Sequence, residues 1–192
     1  LERIIAYKGM GESGLRNSLK RFLDEVLPVC RELGINMAIH PDDPPFSVFG
    51  LPRIAGNLYD FQQIHTLHPD IHNGFTFCTG SLSAGKENDC LELFDTFSEK
   101  IHFLHLRNNY VEGKTFHESG HIQGRIDMVE MVQRILIEEK RRGKEIPMRP
   151  DHGIKIMDDA GLESPPGYSW IGRLTGLQEL RGIEAALSAV YR

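Results

Sequence analysis

Four residues able to bind a divalent cation stand at equivalent places, each where a short apolar run gives way to a polar loop. Ile35 to Ile39 runs into His40, and Phe75 to Phe77 runs into Cys78. Ile101 to Leu104 runs into His105, and Ile146 to Met148 continues through Arg149-Pro150 into Asp151. Neutral imidazole, thiolate and carboxylate are all competent metal ligands. Taken singly, His40 or His105 is most simply a hydrogen-bonded histidine near the core, Cys78 a small buried hydrophobe and Asp151 a loop cap. Four of them at equivalent positions favour a shared cation instead. Two histidines, a cysteine and an aspartate suit zinc by ligand type. Manganese and ferrous iron stay open, because ligand identity alone does not select the metal.

The apolar runs read as buried strands, and the stretches between them read as helices. Leu15, Leu19, Phe22, Leu23, Val26, Leu27 and Cys30 repeat at helical spacing. A helix is therefore expected over 15–33, kinked at Pro28 and ended by Gly34. Asn57 is the expected cap of a helix to about Leu67, Asn88 starts the next, and Asp127 caps a helix from Met128 to Arg142. A long polar loop follows Leu106, and a last helix is expected from about Leu174 to Tyr191. Strands alternating with helices predict a parallel sheet, doubly wound or closed into a barrel. A barrel brings the C-terminal ends of all its strands to one axis, whereas an open sheet uses mainly its switch point. Polar groups at the same end of every strand favour the barrel. A closed (β/α)8 barrel takes roughly 250 residues, more than this chain has. The expectation is one domain over 1–192, comprising strands five to eight of a TIM barrel and their helices. Side chains alternate along a strand, so Ala38, Thr76, Phe103 and Arg149 should share the faces of the four ligands.

Three other patterns carry less weight. Gly9-Met10-Gly11-Glu12-Ser13-Gly14 matches G-x-G-x-x-G, but the next strand ends in His40 rather than an acid. A flexible turn with Ser13 near a helix start is preferred to a dinucleotide site. His65, His68 and His72 are interrupted by Pro69 and lack a carboxylate loop, so a solvated face is the better reading. Ser81-Leu82-Ser83-Ala84-Gly85 misses the G-x-S-x-G form of a nucleophile elbow.

Composition closes off further classes. The 192 residues are 40% hydrophobic and 26% charged, which is ordinary for one globular domain. A net charge of −5 with no Lys/Arg run offers no field for nucleic acid. No apolar stretch approaches membrane-spanning length and nothing resembles a secretory signal, so a soluble, cytoplasmic protein is expected. Cys30, Cys78 and Cys90 form an odd set without framework spacing, which suits a reducing compartment. The chain opens on Leu1, which fits a start inside a longer protein.

Several longer motifs are specific. His40-Pro41-Asp42-Asp43-Pro44-Pro45, followed by Gly50-Leu51-Pro52-Arg53-Ile54, resembles the mannonate dehydratase family. So do Phe77-Cys78-Thr79-Gly80-Ser81, His105-Leu106-Arg107-Asn108 and Pro147-Met148-Arg149-Pro150-Asp151-His152-Gly153. Pro166-Gly167-Tyr168-Ser169 and Ile171-Gly172-Arg173-Leu174 complete the match in order. The resemblance implies a TIM barrel of the xylose-isomerase-like kind that dehydrates D-mannonate to 2-keto-3-deoxy-D-gluconate in hexuronate breakdown. It implies Mn2+ or Fe2+ held by His40, Cys78, His105 and Asp151, with His152 and Tyr168 as the catalytic pair. Family members carry an N-terminal half with four further strands that this sequence lacks. D-mannonate is the expected partner, and a homo-oligomer, a dimer, the expected assembly. Arg107, Asn108, His121, Arg149 and Arg173 are weaker candidates for substrate contacts; each could equally serve a structural ion pair or a solvated loop. The competing readings are a metal-dependent aldose–ketose isomerase on the same barrel, and a half-barrel inactive without a partner half.

Overall fold

The computed structural model of the chain describes residues 2–113 and 115–191, and its elements alternate as the apolar pattern requires. Helix α1 (Glu2–Leu33) leads into strand β1 (Met37–Ile39), then α2 (Leu58–Leu67) and β2 (Asn73–Cys78). Helices α3 (Thr79–Ser83) and α4 (Cys90–Phe97) connect β2 to β3 (Ile101–Leu106). Strands β4 (Asn109–Glu112) and β5 (Thr115–Glu118) follow, then α5 (Met128–Arg142), β6 (Met148–Pro150) and α6 (Trp170–Tyr191). The main sheet is parallel throughout, in the order β1-β2-β3-β6, with no reversal along it. Helical crossovers are what let parallel neighbours follow one another in this way.

Local chemistry sets the helix ends. Asn57 accepts from the Asp60 backbone N–H at 3.0 Å, and Asp127 accepts from Glu130 N–H at 3.0 Å. Gly143 closes α5 in the left-handed region at φ 65°. Three details differ from expectation. Asp89 rather than Asn88 caps the fourth helix, because its carboxylate reaches the N–H groups of Leu91 and Glu92. Pro28 lies within α1; the break falls instead at Gly11, φ 65° and ψ 179°, so the expected turn shrinks to one residue between two helical pieces. Phe22 is exposed rather than inward; Leu23, Leu27 and Cys30 are the buried stripe.

One face of the sheet carries the core. Phe75, Phe77, Leu104 and Leu106 pack against Phe61 and Ile64 of α2, Leu93, Phe94 and Phe97 of α4, and Met131 and Ile135 of α5. Phe61 and Phe75 stack with ring centroids 4.2 Å apart. Each such side chain contributes about 1.5–3 kcal/mol by leaving water. The opposite face lines an open cavity of about 810 Å³ whose walls include Ala38, Thr76, Phe103, His105 and Arg149. That is the face assigned to these residues by strand alternation. No helix among the described residues is long and apolar enough to cross a membrane. The three cysteines are buried and unpaired.

Candidate functional site

Parallel register carries the strand ends to one rim. Cys78 lies opposite His105, and the Asp151 N–H donates to the Leu106 carbonyl at 3.1 Å. One donor atom each from His40, Cys78 and His105 lies within 4.8 Å of the others. His40 Nε2 is 3.0 Å from His105 Nδ1. Asp151 Oδ2 is 3.9 Å from both Cys78 Sγ and His105 Nδ1. All four residues chosen from strand-end position converge.

Their protonation suits a divalent cation. His40 Nδ1 lies 2.7 Å from the Pro41 carbonyl, an acceptor only, so Nδ1 carries a proton and Nε2 is the nitrogen turned to the group. Burial pushes His105 down to about 4, against the pull of Asp151, leaving a neutral imidazole. Burial would raise Asp151, but His152, His105 and Arg149 together hold it below the usual carboxylate range. Cys78 caps α3 and accepts from the Ser81 hydroxyl at 3.1 Å. Burial pushes its thiol up to about 11 despite those Ser81 hydrogen bonds. A coordinating cation deprotonates a thiol outright. Two imidazoles, one carboxylate and such a thiol therefore fit a divalent ion.

Beside the four candidate ligands stands His152. Its Nδ1 lies 2.8 Å from Glu118 Oε1, and its ring centroid is 4.9 Å from that of Tyr168. Gly167, at φ 82°, presses its backbone on the imidazole: a Cβ there would sit 2.7 Å from His152 Nδ1. Glu118 also accepts from Arg107 Nε at 3.0 Å and Nη2 at 2.7 Å. Burial would raise the Glu118 pKa, but the bonds from His152 and Arg107 outweigh it and hold the carboxyl low.

The five substrate-contact candidates separate. Arg107 is buried within its carboxylate pair, and Gly80 makes room for it, since a Cβ at Gly80 would meet Arg107 Cδ at 2.3 Å. Asn108 is bound up in its own loop. Its amide donates to the His121 and Ile126 carbonyls, and its oxygen accepts from the Asn109 and Ile126 N–H groups. Two donors and two lone pairs are then all committed, so its side chain organises the loop and has nothing left for a substrate. His121 is buried against α6, where a Cβ at Gly176 would meet its ring. Arg149 is exposed and donates to Asp151 at 2.8 Å. Arg173 lies over the Tyr168 ring, 5.6 Å from its centroid. The histidine pattern stays apart from the site: His68 meets Asp24 at 3.0 Å, and His72 Nδ1 bonds the Ile35 carbonyl at 2.8 Å. Ser83 donates to Gly80 and Asn109 oxygens.

Glu118 escaped sequence reasoning because the stretch after β3 reads as a polar loop. It is an antiparallel hairpin, with Asn109 opposite Glu118. The signal was available: Tyr110-Val111 and Thr115-Phe116 are strand-forming pairs on either side of Gly113.

Residues 1–192 match the family model for D-mannonate dehydratase (UxuA). The chain is 44% identical over 192 residues to the mannonate dehydratase of Chromohalobacter salexigens, an alignment covering 97% of this chain and 49% of that one. It is 46% identical over 193 aligned residues to the mannonate dehydratase of Brucella canis, covering 98% and 48%. The crystal structure of mannonate dehydratase from Streptococcus suis serotype 2 matches with a TM-score of 0.90 at 33% identity, covering 98% of this chain and 54% of that one. The chain spans about half the length of the curated relatives it matches.

Proposed function

The chain belongs to the D-mannonate dehydratase family, and from that premise we propose that it is the metal-binding half of a hydro-lyase converting D-mannonate to 2-keto-3-deoxy-D-gluconate in hexuronate breakdown. The observation that carries the reading is the convergence of His40, Cys78 and His105 within 4.8 Å, with Asp151 closing the group beside His152 and Tyr168. The barrel is part of the proposal: the parallel order without reversal, helices packed on one face and a cavity on the other all suit the last four strands of a xylose-isomerase-like (β/α)8 barrel. Residues 1–192 then form one domain, the C-terminal part of that barrel. A cytoplasmic homodimer is the proposed setting.

Dehydration removes the proton beside the carboxylate of the sugar acid and expels the hydroxyl on the next carbon. His40, Cys78, His105 and Asp151 would hold a divalent metal, Mn2+ or Fe2+ in this proposal, which would supply Lewis acidity for the charge that develops in the reaction. His152 and Tyr168 move the two protons, one accepting from carbon and the other donating to the departing hydroxyl. Their rings stand 4.9 Å apart, close enough to serve adjacent carbons. Arg149 and Arg173, with charged heads near Asp151 and Tyr168, are the proposed contacts for the acid's oxygens. Arg107 acts from behind, through Glu118.

The test is the chain itself, loaded anaerobically with Mn2+ and given D-mannonate, with Cys78→Ala alongside. The 2-keto-3-deoxy acid from the first and not the second is expected. A product of unchanged mass would replace the dehydratase by an isomerase. Neither product nor bound metal would sink the reading for this chain.

A further inference from the structure

We propose that Glu118 is a positioning residue for His152, fixing the imidazole so that Nε2 is the nitrogen that exchanges a proton with the substrate. The role of that nitrogen rests on the dehydratase reading; the pairing does not. A carboxylate can only accept, so the 2.8 Å contact between Glu118 Oε1 and His152 Nδ1 requires the proton on Nδ1. This holds whether the ring is neutral or charged, and it leaves Nε2 as the nitrogen free to give or take a proton. The ring presents that nitrogen to the ligand end of the site, with Nε2 3.8 Å from Asp151 Oδ2.

Glu118 cannot turn away. Arg107 binds both of its oxygens, and Arg107 is anchored in turn by Asp43 at 2.6 Å. The ring cannot turn either, held between the Gly167 backbone and the Tyr168 ring. A carboxylate behind an imidazole, fixing which nitrogen works, is a recurring device for proton transfer. Here the carboxylate arrives on a hairpin that leaves the main sheet after β3.

The direct test is the tautomer of His152, read from its side-chain ¹⁵N shifts in the metal-free chain well above the usual imidazole pKa of about 6.5. The Nδ1–H form is expected, relaxing toward the mixture of free imidazole in Glu118→Ala and retained in Glu118→Asp. An Nε2–H form in the unsubstituted chain overturns the proposal, and this measurement needs no variant to fold. With Mn2+ and D-mannonate, Glu118→Ala should lose roughly 10²–10⁴-fold in kcat at little changed KM, and Glu118→Asp should restore part of it. A rise in KM at constant kcat also overturns it. The Nδ1–H form in a chain that never dehydrates mannonate would support the pairing and overturn the dehydratase reading instead.

Discussion

Arg107 donates to Asp43 at 2.6 Å from a side chain only 2% exposed, tying the loop after β1 to the end of β3. The same guanidinium holds Glu118 on the hairpin, so one cation joins three segments that carry the site. Removing one member of a buried charge group leaves the others unpaired, which costs more than the group itself contributes. Arg107→Met should therefore lower stability by about 3 kcal/mol, read as a shift in the urea midpoint. A change within experimental error would mean that solvent screens Asp43 and Glu118 in place of the arginine.

Cation binding should be measurable without turnover. A ligand that binds only the folded chain stabilises it by mass action, about 2.7 kcal/mol at a hundred times its Kd. Mn2+ should raise the Tm of the unsubstituted chain and bind at least about tenfold more weakly to Cys78→Ala, since even an outer partner of a metal site costs 10–100-fold. Equal calorimetric affinity for both proteins would remove Cys78 from the ligand set.

Glu138, on the wall of the cavity that His105 and Arg149 also line, gives a pH signature of its own. It accepts from Arg141 at 2.7 and 2.9 Å and from Arg142 at 2.9 and 3.1 Å. The Arg141 bonds lead in holding its carboxyl below 4.5, with burial opposing and Arg142 adding to them. A carboxyl held low in the folded state contributes stability above its unfolded pKa and loses it as pH falls through the folded value. Glu138→Gln should be less stable by about 1 kcal/mol at neutral pH. The gap should close on acidification below 4.5. A gap that stays constant across a pH series of urea titrations would contradict the assignment.

Gly167→Ala tests the clamp on His152. At φ 82° an added Cβ is strained, and it lands 2.7 Å from the imidazole Nδ1. Left-handed backbone costs a non-glycine residue about 1–2 kcal/mol, and the ring must also shift off Glu118. Both a lowered Tm and altered His152 side-chain shifts are expected. Loss of stability with unmoved shifts would show that the Gly167 loop gives way while the ring stays in place.

Much of this was legible in the chain. Apolar runs ending in His40, Cys78, His105 and Asp151 marked the strands and brought four candidate ligands to one rim, because parallel strands with helical crossovers must all end on the same side. Caps at Asn57 and Asp127 were equally readable, because a cap acts within three residues. The Phe22 error came from a stripe drawn too wide: periodicity gives the direction of a face, and only the packed neighbours set its edge.

Local pattern repeated four times along the chain was enough to read an α/β fold with a parallel sheet and to single out four candidate donors. How the remaining polar groups are used emerges only in the folded chain. Asn108 and Arg107 are neighbours of the same polar character, yet one is fully committed to loop carbonyls and N–H groups and the other joins Asp43 to Glu118. Glu118 reaches His152 across 34 positions of chain because a hairpin folds back over the strand ends. Hydrogen-bond partners at such separations depend on distances of tenths of an ångström, which no spacing along the chain encodes.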